Sequence, residues 1–170
     1  MKLNVGHKVV YPCQGLCQIG AVINKIVDGR PARFYRFILL DEKGGEVLVP
    51  LDRASSLGVR RLLDKSEIPE VFRQLKVRAA PDVNWKQRTE SNAKLLASGS
   101  ALDLAKVIQS LSSLTAGRAL SPRDRQMLDR ARRILISEIA EVTGVSREAA
   151  EEQVDNALGV ASPGKLAAVM

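Results

Sequence analysis

Up to Arg60 the chain alternates apolar and polar residues in short runs; beyond it, apolar residues recur at helical spacing. Residues 8–11, 16–27, 33–40 and 46–49 are rich in Val, Ile, Phe and Tyr, and the pattern predicts four strands. Pro12 to Gly15, Asp28-Gly29-Arg30-Pro31 and Lys43-Gly44-Gly45 supply the glycine, proline and polar residues that tight antiparallel connections require. Several short strands so spaced predict a small, strongly bent barrel.

The helical pattern begins over residues 66–76, where Ile68, Val71, Phe72 and Leu75 form one stripe. A connection containing Ala79-Ala80-Pro81-Asp82 leads to Asn84, a good N-cap, with Gln87 three residues on to complete a capping box. That helix should run from Trp85 to about Ala97 and stop at Ser98-Gly99. Ser100 with Asp103 starts another, whose apolar face is Leu102, Ala105, Val107, Ile108 and Leu111. Ser121-Pro122 opens a third that carries Met127, Leu128, Ala131, Leu135 and Ile139 towards Thr143, and Ser146 caps a last one reaching about Leu158. The expected fold class is α+β in two domains: a small β domain over 1–62, an all-α domain over 63–160 with 63–83 as connecting helix and linker, and a flexible tail over 161–170.

Composition narrows the function. No run approaches the roughly 20 apolar residues that cross a bilayer, and the N-terminus lacks an export signal, so a cytoplasmic protein is expected. Cys13 and Cys17 are the only cysteines and His7 the only histidine, which leaves no ready zinc set; two reduced, partly buried thiols are expected, with no metal and no cofactor. No phosphate loop, nucleophile elbow or zinc-protease motif occurs, and the adjacent acids Asp41-Glu42 and Glu151-Glu152 diverge as solvated groups, so no enzyme is expected.

The net charge is +7, and it is concentrated. From Arg73 to Arg133 there are 13 Lys and Arg against 5 Asp and Glu; from Ile134 onward there are 2 against 6. Solvated helix faces account for such charge as readily as an anionic partner does. Trp85 shifts the balance. A lone tryptophan usually serves burial, but this one falls in a helix's first turn beside Lys86, Arg88 and Lys94. A free helix N-terminus attracts phosphate, and Arg123, Arg125, Arg130, Arg132 and Arg133 extend the basic surface. At 100° per residue Arg123 shares a face with Arg130 and Arg125 with Arg132, so two or three of the five should reach nucleic acid. An apolar ring beside such a patch is the kind of wedge that minor-groove proteins insert where stacking is weak.

The ordered motifs Val5-Gly6-His7-Lys8-Val9-Val10-Tyr11-Pro12 with Gly15, Val49-Pro50, Gly58-Val59-Arg60, Asn84-Trp85, Leu96-Ala97-Ser98-Gly99 and Met127-Leu128 with Ala131-Arg132 span most of the chain. Together the chain closely resembles the CarD/CdnL family of bacterial transcription factors. The resemblance implies a Tudor-like N-terminal domain that binds the β subunit of bacterial RNA polymerase by strand addition. It also implies a helical domain that touches promoter DNA at the upstream edge of the transcription bubble and stabilises the open complex. By position, Trp85 matches the wedge, Arg88 a neighbouring DNA-contacting arginine and Arg125 a basic DNA contact; Lys86 and Arg132 complete the expected DNA-binding set. On the polymerase side, Lys25 stands where relatives carry an arginine and Leu48 occupies a position that can be basic, with Pro50 closing the same strand. His7 replaces a frequent aspartate and Glu90 a frequent basic residue.

The expected function is therefore transcription regulation through polymerase and promoter DNA, the DNA read by backbone and fork shape with no sequence-specific readout, and with no small-molecule substrate and no membrane. Two rivals stand beside it: a polymerase-binding module whose helices recruit another protein, and a polymerase-independent architectural DNA-binding protein.

Overall fold

The computed structural model describes residues 3–40, 44–77, 84–115 and 119–159. The chain divides into two units, Met1–Leu62 and Leu63–Met170. The layout is α+β: an antiparallel sheet, then five helices.

The first unit is a five-stranded antiparallel sheet of β1 (Lys8–Tyr11), β2 (Gly15–Val27), β3 (Arg30–Leu39), β4 (Glu46–Pro50) and β5 (Arg60–Arg61), in the order β4-β3-β2-β1-β5. β2 is long enough to serve two partners: its first residues pair with β1 and its remainder with β3. Ile19 lies opposite Phe37 but Val22 opposite Tyr35, so one extra residue is taken up at Gly20-Ala21, and such a bulge bends a strand. Glycine suits the bend, because a Cβ at Gly20 would stand 3.0 Å from the Arg36 carbonyl oxygen. The curved sheet encloses Val9, Cys17, Ile19, Phe37, Val49, Ala54 and Val59. Phe37 is at its centre, stacked on Tyr35 at 6.0 Å between centroids and met edge-on by Tyr11 at 6.2 Å.

β3 begins three residues earlier than the pattern predicts. Asp28 and Gly29 both take positive φ, 49° and 74°, so these two alone make the hairpin turn and Arg30 already pairs with Val27. Pro31 is tolerated there because β4 reaches β3 only from Phe34 onward, which leaves that stretch an outer edge. β5, two arginines paired with Val9 and Val10, carried no strand pattern at all.

The second unit holds α1 (Ile68–Lys76), α2 (Trp85–Ser98), α3 (Ala101–Leu114), α4 (Pro122–Thr143) and α5 (Arg147–Leu158). α1 starts later than expected, at Ile68-Pro69, after a 3-10 turn over Lys65–Glu67 that Asp64 and Glu67 close with a capping box. The other four starts follow their caps: Asn84, Ser100, Ser121 and Ser146 each accept the backbone N–H three residues on. Gly99, Gly144 and Gly159 terminate α2, α4 and α5 in the left-handed conformation, at φ 73° to 75°. α3 is the hub: it packs on α1, α2 and α4 and buries Leu104, Ala105, Val107, Ile108 and Leu111 completely. α5 closes the other side through Ala150 and Val154 against α4 and α1. Glu138 of α4 is fully buried, its Oε2 accepting the Leu63 backbone N–H at 2.8 Å. The tail at 161–170 lies outside the described residues.

Candidate nucleic-acid interface

Trp85 is the first residue of α2, fixed there by its neighbours: the Asn84 side chain accepts the Gln87 N–H at 2.9 Å, and the Asn84 carbonyl accepts the Arg88 N–H at 3.0 Å. Its side chain lies outside the described residues. Lys86 is exposed, whereas Arg88 is half-buried with its Nε inside the fold and without an acceptor. Thr89, Asn92 and Leu96 carry the buried face of α2, which packs on α3 and α4.

α4 begins at Ser121, whose hydroxyl accepts the Asp124 N–H at 3.2 Å. Arg123, Arg125 and Arg130 are exposed and make no ion pair among the described residues. Arg132 is placed differently from expectation. Its guanidinium sits 2.9 Å from Asp155 and 3.4 Å from Glu151, both on α5, and its side chain is only 20% exposed. Arg132 and Arg125 share an azimuth on α4, but only Arg132 lies level with the acids of α5. It thus helps hold α4 against α5.

What the fold brings together is Arg88 from α2 with Arg123 and Asp124 from α4, around a cavity that Thr89, Leu114 and Leu120 also line. Lys86 and Arg125 lie outside that lining. The sequence pattern offers Arg123 only as part of a broad basic surface and does not mark Asp124 as a site residue. The Ser121-Pro122 helix start was the available signal, since it places both in the first turn.

The expected polymerase contacts lie on the first unit. Leu48 pairs with Arg36 and Pro50 with Phe34 along β4, an edge strand of the sheet. Lys25 pairs with Ala32, two residues along β3 from Phe34, so the rows holding Lys25 and Pro50 are two apart on the same ribbon. Beyond Lys25 the hairpin end exposes Ile26, 78% accessible, and Val27. Arg36 and Glu46 form a cross-strand ion pair beside Leu48; the hydrogen bond from Arg36, then its charge, holds the Glu46 carboxyl below the usual carboxylate range. His7 is exposed just before β1, Cys13 is half-buried and Cys17 fully buried, and neither is joined in a disulfide. Among the described residues no cluster of His, Cys, Asp or Glu is placed to hold a metal ion, and no helix is long and apolar enough to cross a membrane.

Both units match known families. The model of the CarD-like/TRCF RID domain matches residues 3–63, and that of the CarD C-terminal domain residues 67–155. The chain belongs to the CarD family. It is 26% identical over 148 residues to YdeB of Bacillus subtilis (strain 168), whose name makes it a candidate transcription factor; the match covers 85% of this chain and 94% of that one. The solution NMR structure of the 72-residue N-terminal domain of Myxococcus xanthus CarD shares 38% identity, covering 35% of this chain and 79% of that chain, with a TM-score of 0.30. Membership of the CarD family makes the chain a CarD-like transcription factor, with its sheet unit and its helical unit each corresponding to one family domain.

Proposed function

We propose that this CarD-family protein is a cytoplasmic regulator that docks on the β subunit of RNA polymerase through the β4 edge and holds the promoter open complex by contacting DNA at the upstream edge of the bubble. Lys25, Leu48 and Pro50 form the polymerase side, Trp85, Lys86, Arg88 and Arg125 the DNA side, and Arg123 joins the latter. The observation that carries the reading is the start of α2: a capped first turn that opens on the chain's single tryptophan, next to Lys86 and Arg88, in the unit that matches the CarD C-terminal domain.

The action is binding alone. An indole stacked at a melted step contributes roughly 1 to 3 kcal/mol. At about 1.4 kcal/mol per decade, that is roughly 5- to 150-fold in the balance between open and closed promoter. Backbone contacts from Lys86, Arg88, Arg123 and Arg125 supply affinity without sequence preference, and polymerase supplies the address.

The test is open-complex lifetime on a linear promoter fragment after a competitor challenge. Trp85→Ala should shorten the lifetime by a factor within that range while binding of the purified polymerase β lobe stays unchanged. An unaltered lifetime would refute the wedge and leave the chain as a polymerase-binding module. Tight duplex binding without polymerase would instead favour an architectural protein.

A further inference from the structure

The cavity between the starts of α2 and α4 and the end of α3 has a volume of about 460 Å3. A backbone phosphate fills little of that, whereas whole small molecules occupy pockets of roughly 300 to 1,000 Å3. Two polar groups in its lining have no partner among the described residues. Asp124 is 7% exposed, and its carboxylate accepts no hydrogen bond and joins no ion pair among the described residues; only its backbone N–H is used, by Ser121. The Arg88 Nε is buried with no acceptor. Leaving the Arg88 donor buried and unsatisfied is costly, whereas the Asp124 oxygens are not shut off from solvent and open on the cavity without a partner among the described residues.

A ligand that fits this lining must donate to the Asp124 carboxylate, accept from the accessible end of the Arg88 guanidinium, and present an apolar face to Leu114 and Leu120. A simple anion fails the first requirement, because Asp124 repels it. A nucleotide meets all three, its base edge on the acid, its phosphate on Arg88 and the exposed Arg123, its ring on the leucines. Among the bases, guanine fits a carboxylate best: its ring N1–H and exocyclic amine are adjacent donors that can engage both oxygens. Adenine and cytosine set a ring acceptor beside their amine, and thymine flanks its single N–H with two carbonyls, so each brings a lone pair against the acid. Proteins read unstacked bases by such edge contacts combined with packing on the ring.

We infer that this cavity is a seat for an unstacked guanine nucleotide, with Asp124 reading the base edge and Arg88 and Arg123 holding the phosphate. The inference rests on taking this end of the helical unit as its nucleic-acid side, but it assigns a base preference that the wedge does not need.

The experiment is an amide chemical-shift titration of the full chain with dGMP, with a short single strand containing dG, and with an all-dT strand of equal length at one salt concentration. Shifts should centre on Arg88, Thr89, Leu114 and Asp124, and the dG strand should bind roughly tenfold or more tighter than dT, as two-point base contacts discriminate. Asp124→Asn should reduce that preference to about twofold or less while leaving dT binding unchanged. Ala119→Trp, which blocks the cavity with neither charge altered, should abolish the guanine preference with the melting temperature kept. A dG strand that binds more tightly than dGMP assigns the seat to DNA; equal binding assigns it to the free nucleotide. Equal affinity for dG and dT, shifts elsewhere, or a preference that survives either substitution overturns the inference. Trp85→Ala should retain the guanine preference here whatever it does to open-complex lifetime, so the two readings fail separately.

Discussion

Replacing Arg132 should unfold the helical unit more readily before it does anything to DNA. The guanidinium is 2.9 Å from Asp155, whose side chain is 7% exposed, and 3.4 Å from Glu151, which is 50% exposed. Fully exposed pairs contribute about 0.2 to 1 kcal/mol. Breaking a fully buried pair costs about 3 to 5 kcal/mol, because the orphaned charge stays buried. The Arg132–Asp155 pair lies between these limits and nearer the buried one. Arg132→Ala strands the Asp155 carboxylate and should cost about 2 to 3 kcal/mol. Asp155→Ala leaves Arg132 with Glu151 as a substitute partner and should cost about 1 to 2 kcal/mol, and Glu151→Ala less than about 0.5 kcal/mol. Urea denaturation followed by far-ultraviolet circular dichroism measures all three, and the Arg132/Asp155 double-mutant cycle should return a coupling of about 1 to 2 kcal/mol. Single-mutant losses below about 0.5 kcal/mol at both Arg132 and Asp155 would refute the clamp. So would an Arg132→Ala protein of normal stability that binds DNA more weakly.

Three further outcomes follow from the geometry. Ser100→Ala removes the side-chain acceptor for the Asp103 N–H at the start of the central helix α3, and should cost about 1 kcal/mol in the same denaturation assay, with Ser100→Asp close to wild type. Leu48→Glu, on the β4 edge, should weaken pull-down by the polymerase β lobe while the near-ultraviolet spectrum of Tyr35 and Phe37 is retained; an unchanged pull-down would exclude that contact. The Glu46 carboxyl is held below its ordinary range by Arg36, so its folded pKa lies below its unfolded one. Its stabilisation is present above the unfolded value and is lost as pH falls through the folded one, so the protection factors of amides along β3 and β4, taken relative to intrinsic exchange at each pH, should fall below the ordinary carboxylate range, and Glu46→Gln should flatten that dependence.

Legibility in the sequence tracked how local each cause was. Four of the helix starts are set by one side chain and a backbone N–H three residues on, and Asn84, Ser100, Ser121 and Ser146 announce them directly. The tight Asp28-Gly29 hairpin is equally local, although its brevity let β3 begin at Arg30, ahead of expectation. β5 was invisible because two arginines acquire a strand conformation only from Val9 and Val10, some fifty residues away in the chain. The same division runs through the candidate site. That Lys86, Arg88 and Arg125 sit on basic helices can be read from the chain. That Arg132 meets α5, or that Asp124 is buried in a cavity with Arg88, depends on how helices pack, which helical periodicity does not encode.

α4 has a further property, which comes from the order of its residues. Its 22 residues extend about 33 Å at 1.5 Å per residue. Arg123, Arg125, Arg130 and Arg132 fall in its first half with Asp124 and Asp129, Arg133 lies just past the midpoint, Glu138 and Glu141 follow in its second, and Glu148, Glu151, Glu152 and Asp155 against the single Arg147 continue the acidic end on α5. The backbone dipole of the helix points the same way, positive at Ser121. The helical unit thus carries a permanent electric moment, and near any polyanion it feels a torque that swings its α4 entrance forward before contact. Salt should reduce the encounter rate more steeply than a net charge of +7 spread evenly would, because added ions screen the oriented field as well as the total.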